Sequence, residues 1–279
     1  MKQLSLSEQL MYSTVRIECT FPNGTGTGTG FLMNFLRKEE SQIPAIVTNK
    51  HVVNGAITGK FIFTTADEEG NPVNKNHYAI EIGNFQNSWI MHPDPNVDLC
   101  ILPIAAILED ARIKGVKLFY IALDSTLLPS EKQKSDLRAI EDIIMVGYPN
   151  GIWDKTNNLP VMRKGITATH PNFDYNDRSQ FMIDAACFPG SSGSPVFLFN
   201  EGGYTDREGN TNLGGVRFML LGILFAGPQH SAQGNIRIMD IPMSQREVVV
   251  SSIPNNLGFV IKSENLLTFD NILAELESR

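Results

Sequence analysis

Short apolar runs, separated by segments rich in glycine, asparagine and proline, recur along most of the chain. Several runs alternate apolar and polar residues, and a side-chain period of two is typical of a strand with one buried face. Runs this short between turn-forming residues favour antiparallel β structure. The pattern predicts strands at 15–20, 30–34, 45–48, 59–65, 78–82 and 99–103, and again at 143–146, 165–169, 180–184, 195–199, 217–225 and 258–261.

Three other segments have a different pattern. A short amphipathic stretch predicts an N-terminal helix that contains Leu4, Leu6, Leu10 and Met11. Residues 105–140 are more polar and predict a partly helical connector between the two groups of strands. Residues 200–215 are polar and glycine-rich between two apolar strands, which predicts a long hairpin loop.

The end of the chain predicts a closing helix over 263–279. Ser263 is the expected N-cap, and the apolar positions at helical spacing are Leu266, Phe269, Leu273 and Leu276. Two groups of about six strands, a connector and terminal helices predict an all-β fold of two packed antiparallel six-stranded barrels. We expect the first barrel in 1–110, the connector in 111–140 and the second barrel with the closing helix in 141–279, together forming one domain.

Composition supports a globular protein. Hydrophobic residues make up 42% of the 279 residues, and charged residues make up 19%, below the roughly 25% of an average chain. These values argue against a disordered or coiled-coil protein. The net charge of −7 argues against a nucleic-acid-binding protein, which usually presents a basic face.

The N-terminal residues lack the apolar core of a signal peptide, and no apolar run approaches the roughly 18 residues of a membrane span. We therefore expect a soluble cytoplasmic protein with no membrane partner. Cys19, Cys100 and Cys187 are widely spaced and form no CxxC motif. This spacing argues against a disulfide framework and a zinc site, and predicts buried free thiols.

The strongest candidate for chemistry is the segment FPGSSGSP, which contains Gly190 and Ser192. A glycine-rich turn can expose a serine hydroxyl and direct neighbouring backbone N–H groups towards the same point, as acyl transfer requires. Taken alone, this short pattern favours an ordinary Ser/Gly turn, because short patterns recur by chance. The turn lies between two apolar strands, however, which favours a nucleophile turn over a surface loop.

Two further residues are candidates for a base and an orienting carboxylate. His51 lies where the strand in IVTNKHVV meets a polar turn, and Asp98 opens the apolar strand in VDLCIL. Taken singly, the alternatives are a structural histidine and a turn aspartate. An aspartate that is buried needs a hydrogen-bond partner, and a histidine would provide one.

The chain order His51, Asp98, Ser192 is that of chymotrypsin-type enzymes. The blocks VTNKHVV, VDLCIL and DAACFPGSSGSPVF resemble the catalytic blocks of trypsin-like serine peptidases, with the bacterial HtrA (Deg) protease domain the most similar branch. The segments GTGTGF, MVGYPNG, LGILFAG and NLGFVI extend the resemblance over nearly the whole chain. The resemblance implies a double β-barrel serine endopeptidase that acts on protein or peptide substrates without a cofactor or metal.

The resemblance also implies a role for each matching residue. Ser192 would be the nucleophile, His51 the general base and Asp98 the group that orients the imidazole. The N–H groups of Gly190 and Ser192 would form the oxyanion hole. The implied substrate pocket contains Ala186, Phe225, Ala226 and Gly227. With alanine at the expected base of this pocket, a small or medium apolar residue before the cleaved bond is the expected preference.

The sequence departs from the family pattern at several points. Ser191 stands where trypsins with a cleavable zymogen have aspartate, so activation by a new N-terminus is not expected. We expect no PDZ-like domain after the closing helix. His230 is a further candidate for contact with substrate. The alternatives to a constitutive protease are a pseudoprotease used for binding and a latent protease whose loops are ordered by an activating partner protein.

Overall fold

The computed structural model describes residues 4–36, 42–235, 248–254 and 256–278. Strands dominate, as predicted, and form one large sheet in the first half of the chain and one closed barrel in the second. Five short helices accompany them: α1 (Leu6–Met11), α2 (Lys50–Val53), α3 (Ala105–Ile113), α4 (Glu131–Asp136) and α5 (Leu267–Glu277). None of the described helices is both long and apolar enough to cross a membrane.

The first half forms an eight-stranded sheet with hydrogen-bonding order β5-β4-β1-β2-β3-β7-β6, and β8 pairs separately with β4. Its strands are β1 (Thr14–Phe21), β2 (Gly24–Phe35), β3 (Ile43–Thr48), β4 (Thr58–Ala66), β5 (Pro72–Gly83), β6 (Ile90–Met91), β7 (Cys100–Pro103) and β8 (Leu118–Phe119). The predicted closed barrel is not confirmed here. The end strand β6 pairs only two residues with β7, too short a strand to close the sheet.

The second half contains the closed barrel, with strand order β10-β11-β18-β15-β12-β9. Its strands are β9 (Asp142–Gly147), β10 (Val161–Thr167), β11 (Gln180–Asp184), β12 (Pro195–Asn200), β15 (Arg217–Ala226) and β18 (Leu257–Lys262). The hairpins β13 (Gly203–Thr205) with β14 (Thr211–Leu213), and β16 (Gln229–Asn235) with β17 (Val248–Pro254), lie outside the barrel. The predicted loop at 200–215 does connect two paired strands, and it also contains a small hairpin of its own.

One buried cluster joins the two halves. It combines side chains from the first sheet, the barrel and the C-terminal segment, including Phe31, Val47, Leu99, Val146, Phe197, Ile223, Leu266, Phe269 and Leu273. Burial of apolar surface at about 25 cal/mol per Å² is the main stabilising contribution in such a cluster. The two halves therefore share a core.

The terminal helices follow part of the predicted apolar pattern, because Leu4 precedes α1 and Leu276 of α5 is 49% exposed. In α1, Ser5 and Glu8 form a capping box, and Leu10 is buried. The closing helix begins later than predicted, because Ser263–Leu266 form a 3-10 turn immediately after β18 and α5 starts at Leu267. Ser263 is the first residue of that turn and makes no side-chain cap, so its predicted N-cap role is wrong.

Replacing Leu273 with alanine should lower the free energy of unfolding by roughly 2–3 kcal/mol, because this side chain is 4% exposed within the shared core. Leu276 lies one turn further along α5 and is 49% exposed, so Leu276→Ala is the matched control with little expected effect. Urea denaturation of both variants measures the difference. Equal losses would show that α5 is not docked as described.

Candidate active site

His51 and Asp98 are in direct contact. Thr48 of β3 pairs with Cys100 of β7, which places α2 beside the residues that precede β7. The Nδ1 atom of His51 lies 2.5 Å from Oδ2 of Asp98, and the His51 backbone N–H donates to Oδ1 at 3.1 Å. Both carboxylate oxygens are therefore engaged by His51. The imidazole side chain is 48% exposed, so it is accessible from the solvent.

The residues before His51 hold the Asp98 loop in place. The side-chain amide of Asn49 donates to the Asp98 carbonyl at 2.8 Å, and the Lys50 ammonium donates to the Asp94 carbonyl at 2.8 Å. Asn49 itself is completely buried. Two successive side chains thus fix the carboxylate that contacts the ring.

Ser192 lies in a tight turn between β11 and β12. The turn contains two glycines at positive φ, Gly190 at 84° and Gly193 at 87°, a conformation that residues with a Cβ rarely adopt. Backbone hydrogen bonds from Ser191 to the Phe188 carbonyl and from Ser194 to the Ser191 carbonyl, both 3.0 Å, close the turn. A side chain at Gly193 would clash with the carbonyl of Thr29 and the hydroxyl of Thr48.

Thr29 of β2 connects this turn to the segment that contains His51. Its N–H donates to the Ser192 carbonyl at 2.9 Å, and its hydroxyl donates to the Gly190 carbonyl at 2.9 Å. Its carbonyl accepts from the Thr48 hydroxyl at 2.7 Å, three residues before His51. The serine turn is therefore fixed to the end of the strand from which His51 extends.

No hydrogen bond joins the Ser192 hydroxyl to the His51 ring within the residues that the structure describes. Catalytic hydrogen bonds are often long or poorly aligned before substrate binds and then shorten in the complex. The structure thus joins His51 to Asp98 directly, and joins Ser192 to them through Thr29 and Thr48.

Two backbone donors of the serine turn are free. Ser191 and Gly193 donate their N–H groups to the carbonyls of Phe188 and Leu224, at 3.0 and 2.8 Å. The alternate N–H groups, those of Gly190 and Ser192, donate to no partner in the described part of the chain. Two free N–H groups on either side of one residue can bind a negatively charged oxygen.

A pocket of about 210 Å³ opens beside Ser192. Besides Ser192 it is lined by Cys187, Phe188, Pro189, Leu224, Ala226, Gly227 and Pro228. Of the predicted pocket residues, Ala226 and Gly227 lie there. Phe225 lies in a second depression with Tyr175, Arg178 and Phe259, and Ala226 lines both.

Ala186 is not among the described residues that line the pocket, and its carbonyl instead accepts a hydrogen bond from the Arg163 guanidinium. Sequence reasoning missed both Arg163 and Cys187 as neighbours of the pocket. Burial raises the pKa of the Cys187 thiol to about 11, so this thiol is neutral at physiological pH. All three cysteines are buried, as predicted.

Among the residues that the structure describes, His92 and His170 do not form a second site. His92 is buried, its Nδ1 accepts from the Asp94 N–H at 3.2 Å, and burial lowers its pKa. His170 stacks on Phe173 with ring centroids 4.3 Å apart. The side chain of His230 lies outside the described residues. Among those residues, no group of three or more His, Cys, Asp or Glu could hold a metal ion.

A family model described as a trypsin-like peptidase domain matches residues 28–203, which include His51, Asp98 and Ser192. The chain belongs to the trypsin-like peptidase family. The family match makes the chain a serine endopeptidase and a hydrolase of protein or peptide substrates. It also confirms the family that the three sequence blocks resemble.

Several solved structures are similar at low identity. The active form of the Rv3671c protease from M. tuberculosis is 16% identical, with 92% of this chain and 78% of that chain covered and a TM-score of 0.43. The serine endoprotease from Yersinia pestis is 14% identical, covers 98% and 68%, and has a TM-score of 0.47. The HtrA-type protease AlgW with tripeptide is 17% identical, covers 97% and 62%, and has a TM-score of 0.44. No curated protein matches the chain.

Proposed function

We propose that His51, Asp98 and Ser192 form a catalytic triad that hydrolyses peptide bonds through an acyl-enzyme. The observation that carries the proposal is the two-point contact of Asp98 with His51, at 2.5 and 3.1 Å. An aspartate that accepts from Nδ1 leaves Nε2 as the proton acceptor. The serine turn, fixed through Thr29 and Thr48, supports the same assignment.

The first half of the reaction forms the acyl-enzyme. Ser192 Oγ attacks the substrate carbonyl carbon while His51 Nε2 takes the hydroxyl proton. The carbonyl oxygen becomes an oxyanion, which the N–H groups of Gly190 and Ser192 stabilise. The C–N bond then breaks, and His51 returns the proton to the leaving amine.

The second half releases the acid product. A water molecule attacks the ester carbonyl, and His51 Nε2 takes a proton from that water. The second tetrahedral intermediate collapses by breaking the bond to Ser192 Oγ, which takes back the proton from His51. Asp98 stays ionised throughout and stabilises the imidazolium in both halves.

A fluorophosphonate probe tests the assembled site. The wild-type protein should be labelled once, at Ser192, and Ser192→Ala should lose the label because the probe needs an activated serine. Ser194→Ala is a matched control in the same turn, since Ser194 is completely buried and its hydroxyl is inaccessible to the probe. Mass spectrometry of the labelled peptide locates the adduct.

Each other result contradicts part of the proposal. Equal labelling of wild type and Ser192→Ala would place the reactive serine elsewhere. Absence of labelling in the wild type would overturn a constitutively assembled triad and favour the alternatives, a latent protease or a pseudoprotease. In that case labelling restored by an added partner protein would identify latency. The activating partner and the cytoplasmic location stay predictions.

A further inference from the structure

Arg163 of β10 lies against the segment that leads into the substrate pocket. One guanidinium nitrogen, Nη1, donates to the carbonyl of Ala186. The other two nitrogens, Nε and Nη2, are buried and have no hydrogen-bond partner in the described part of the chain. Ala186 is followed directly by Cys187, which lines the pocket beside Ser192.

The position of Arg163 follows from the close packing of two strands. Gly165 of β10 faces Ala185, and a Cβ there would lie 2.7 Å from that residue's Cβ. Strand residues two apart point to the same face, so the Arg163 side chain extends on the side of the sheet that Ala185 occupies. Its guanidinium reaches the carbonyl of Ala186.

The Arg163 charge is not neutralised within the described residues, where no carboxylate lies within ion-pair distance. Arginine stays protonated in proteins, and removing an unpaired cation from water is strongly unfavourable. The other partly buried arginine of the barrel, Arg217, pairs with Glu141 at 2.5 Å. Arg163 is thus a charged group with unused donors and no anion.

The Arg163 guanidinium is close to the pocket lining, because it donates to the carbonyl of the residue that precedes Cys187. The Arg163 cation lowers the pKa of the Cys187 thiol and the Asp184 carboxylate raises it, and the effect of Arg163 is the larger of the two. Asp184 is exposed to solvent, which weakens its field, whereas the guanidinium nitrogens are buried. The described residues that line the pocket carry no charged side chain.

We propose that Arg163 makes the pocket beside Ser192 selective for substrates with glutamate or aspartate immediately before the cleaved bond. The inference rests on the triad proposed above, which makes this pocket the one next to the reacting carbonyl. The uncompensated positive charge next to the pocket attracts a substrate carboxylate, and two charges interact more strongly inside a protein than in bulk water. The sequence analysis predicted an apolar preference from Ala186 alone. It did not consider Arg163, which lies 23 residues before Ala186 in the chain.

Four peptides that differ only in the residue before the cleaved bond test the inference, with Glu, Asp, Gln or Val at that position. For the wild type, kcat/KM with Glu should exceed that with Gln, its uncharged isostere, by about tenfold or more, because only the carboxylate is attracted by the Arg163 cation. Arg163→Met should bring this ratio close to one and leave the Gln and Val peptides little changed. Arg178→Met is the matched control, because Arg178 is exposed and lies in the neighbouring depression.

The wild-type ratio decides the substrate class even if Arg163→Met fails to fold. Ser192-dependent probe labelling together with a preference for Val or Gln would overturn the inference and leave the triad intact. A glutamate preference that survives in folded Arg163→Met would also overturn it, because another group would then bind the carboxylate. If the wild type neither cleaves the peptides nor reacts with the probe, the constitutively assembled triad is overturned, and the inference is overturned with it.

Discussion

Replacing Asp98 with asparagine should lower kcat by about 10⁴-fold, the size expected when the imidazole loses its orienting carboxylate. Both oxygens of Asp98 accept hydrogen bonds from His51, at 2.5 and 3.1 Å. An amide has one oxygen and one NH₂ group. In Asp98→Asn the NH₂ group would therefore face an N–H group of His51, unless the ring changes tautomer. With the other tautomer, Nε2 carries the proton and cannot accept one from Ser192.

Asp94→Asn is the control for this change. Asp94 belongs to the same loop, is exposed and accepts from the Asn96 N–H at 2.8 Å, a bond that asparagine can also make. Peptide cleavage under saturating substrate measures kcat for both variants. A loss below tenfold in Asp98→Asn, with unchanged folding, would contradict the orienting role of Asp98.

Replacing Glu141 with alanine should lower the free energy of unfolding by about 3 kcal/mol, within the range for breaking a buried ion pair. Glu141 is fully buried and accepts from Nη2 and Nη1 of Arg217, at 2.5 and 3.3 Å. It also accepts from the Arg138 N–H at 2.9 Å. The alanine leaves these donors without an acceptor, and the Arg217 side chain is only 12% exposed.

Glu109→Ala is the matched control for the same chemistry at the surface. Glu109 pairs with Arg112 at 2.7 Å, but their side chains are 53% and 73% exposed, and such pairs contribute little. Thermal unfolding of the two variants should show a lower midpoint for Glu141→Ala alone. Similar shifts in both would mean that the Glu141 pair is no more important than a surface pair.

The strands of the barrel could be predicted because local pattern decides them. The predicted strand 180–184 coincides with β11, and 195–199 and 217–225 fall within β12 and β15. Alternation of apolar and polar residues, bounded by turn formers, is sufficient where one strand face is buried. The order of His51, Asp98 and Ser192 was equally visible, and the pairing of β3 with β7 brings the first two together.

Closure of the first sheet could not be predicted from the same pattern. Whether a sheet closes depends on the length and register of its end strands, and β6 is only two residues long. The residues around the substrate pocket could not be predicted from local sequence patterns either. Arg163, on β10, reaches Ala186 through a close approach of strands that Gly165 permits, and contacts between distant chain segments leave no periodicity in the sequence.

Few residues can replace Thr29, although this position lies outside the three catalytic blocks. The Thr29 hydroxyl donates to the Gly190 carbonyl and accepts from the Tyr148 N–H at 3.0 Å. Valine has nearly the same shape but can do neither, and it would leave two main-chain groups of the second half unsatisfied. Only serine keeps both bonds at comparable size. A substitution that is harmless elsewhere on β2 would therefore, at position 29, weaken the attachment of the turn that contains Ser192.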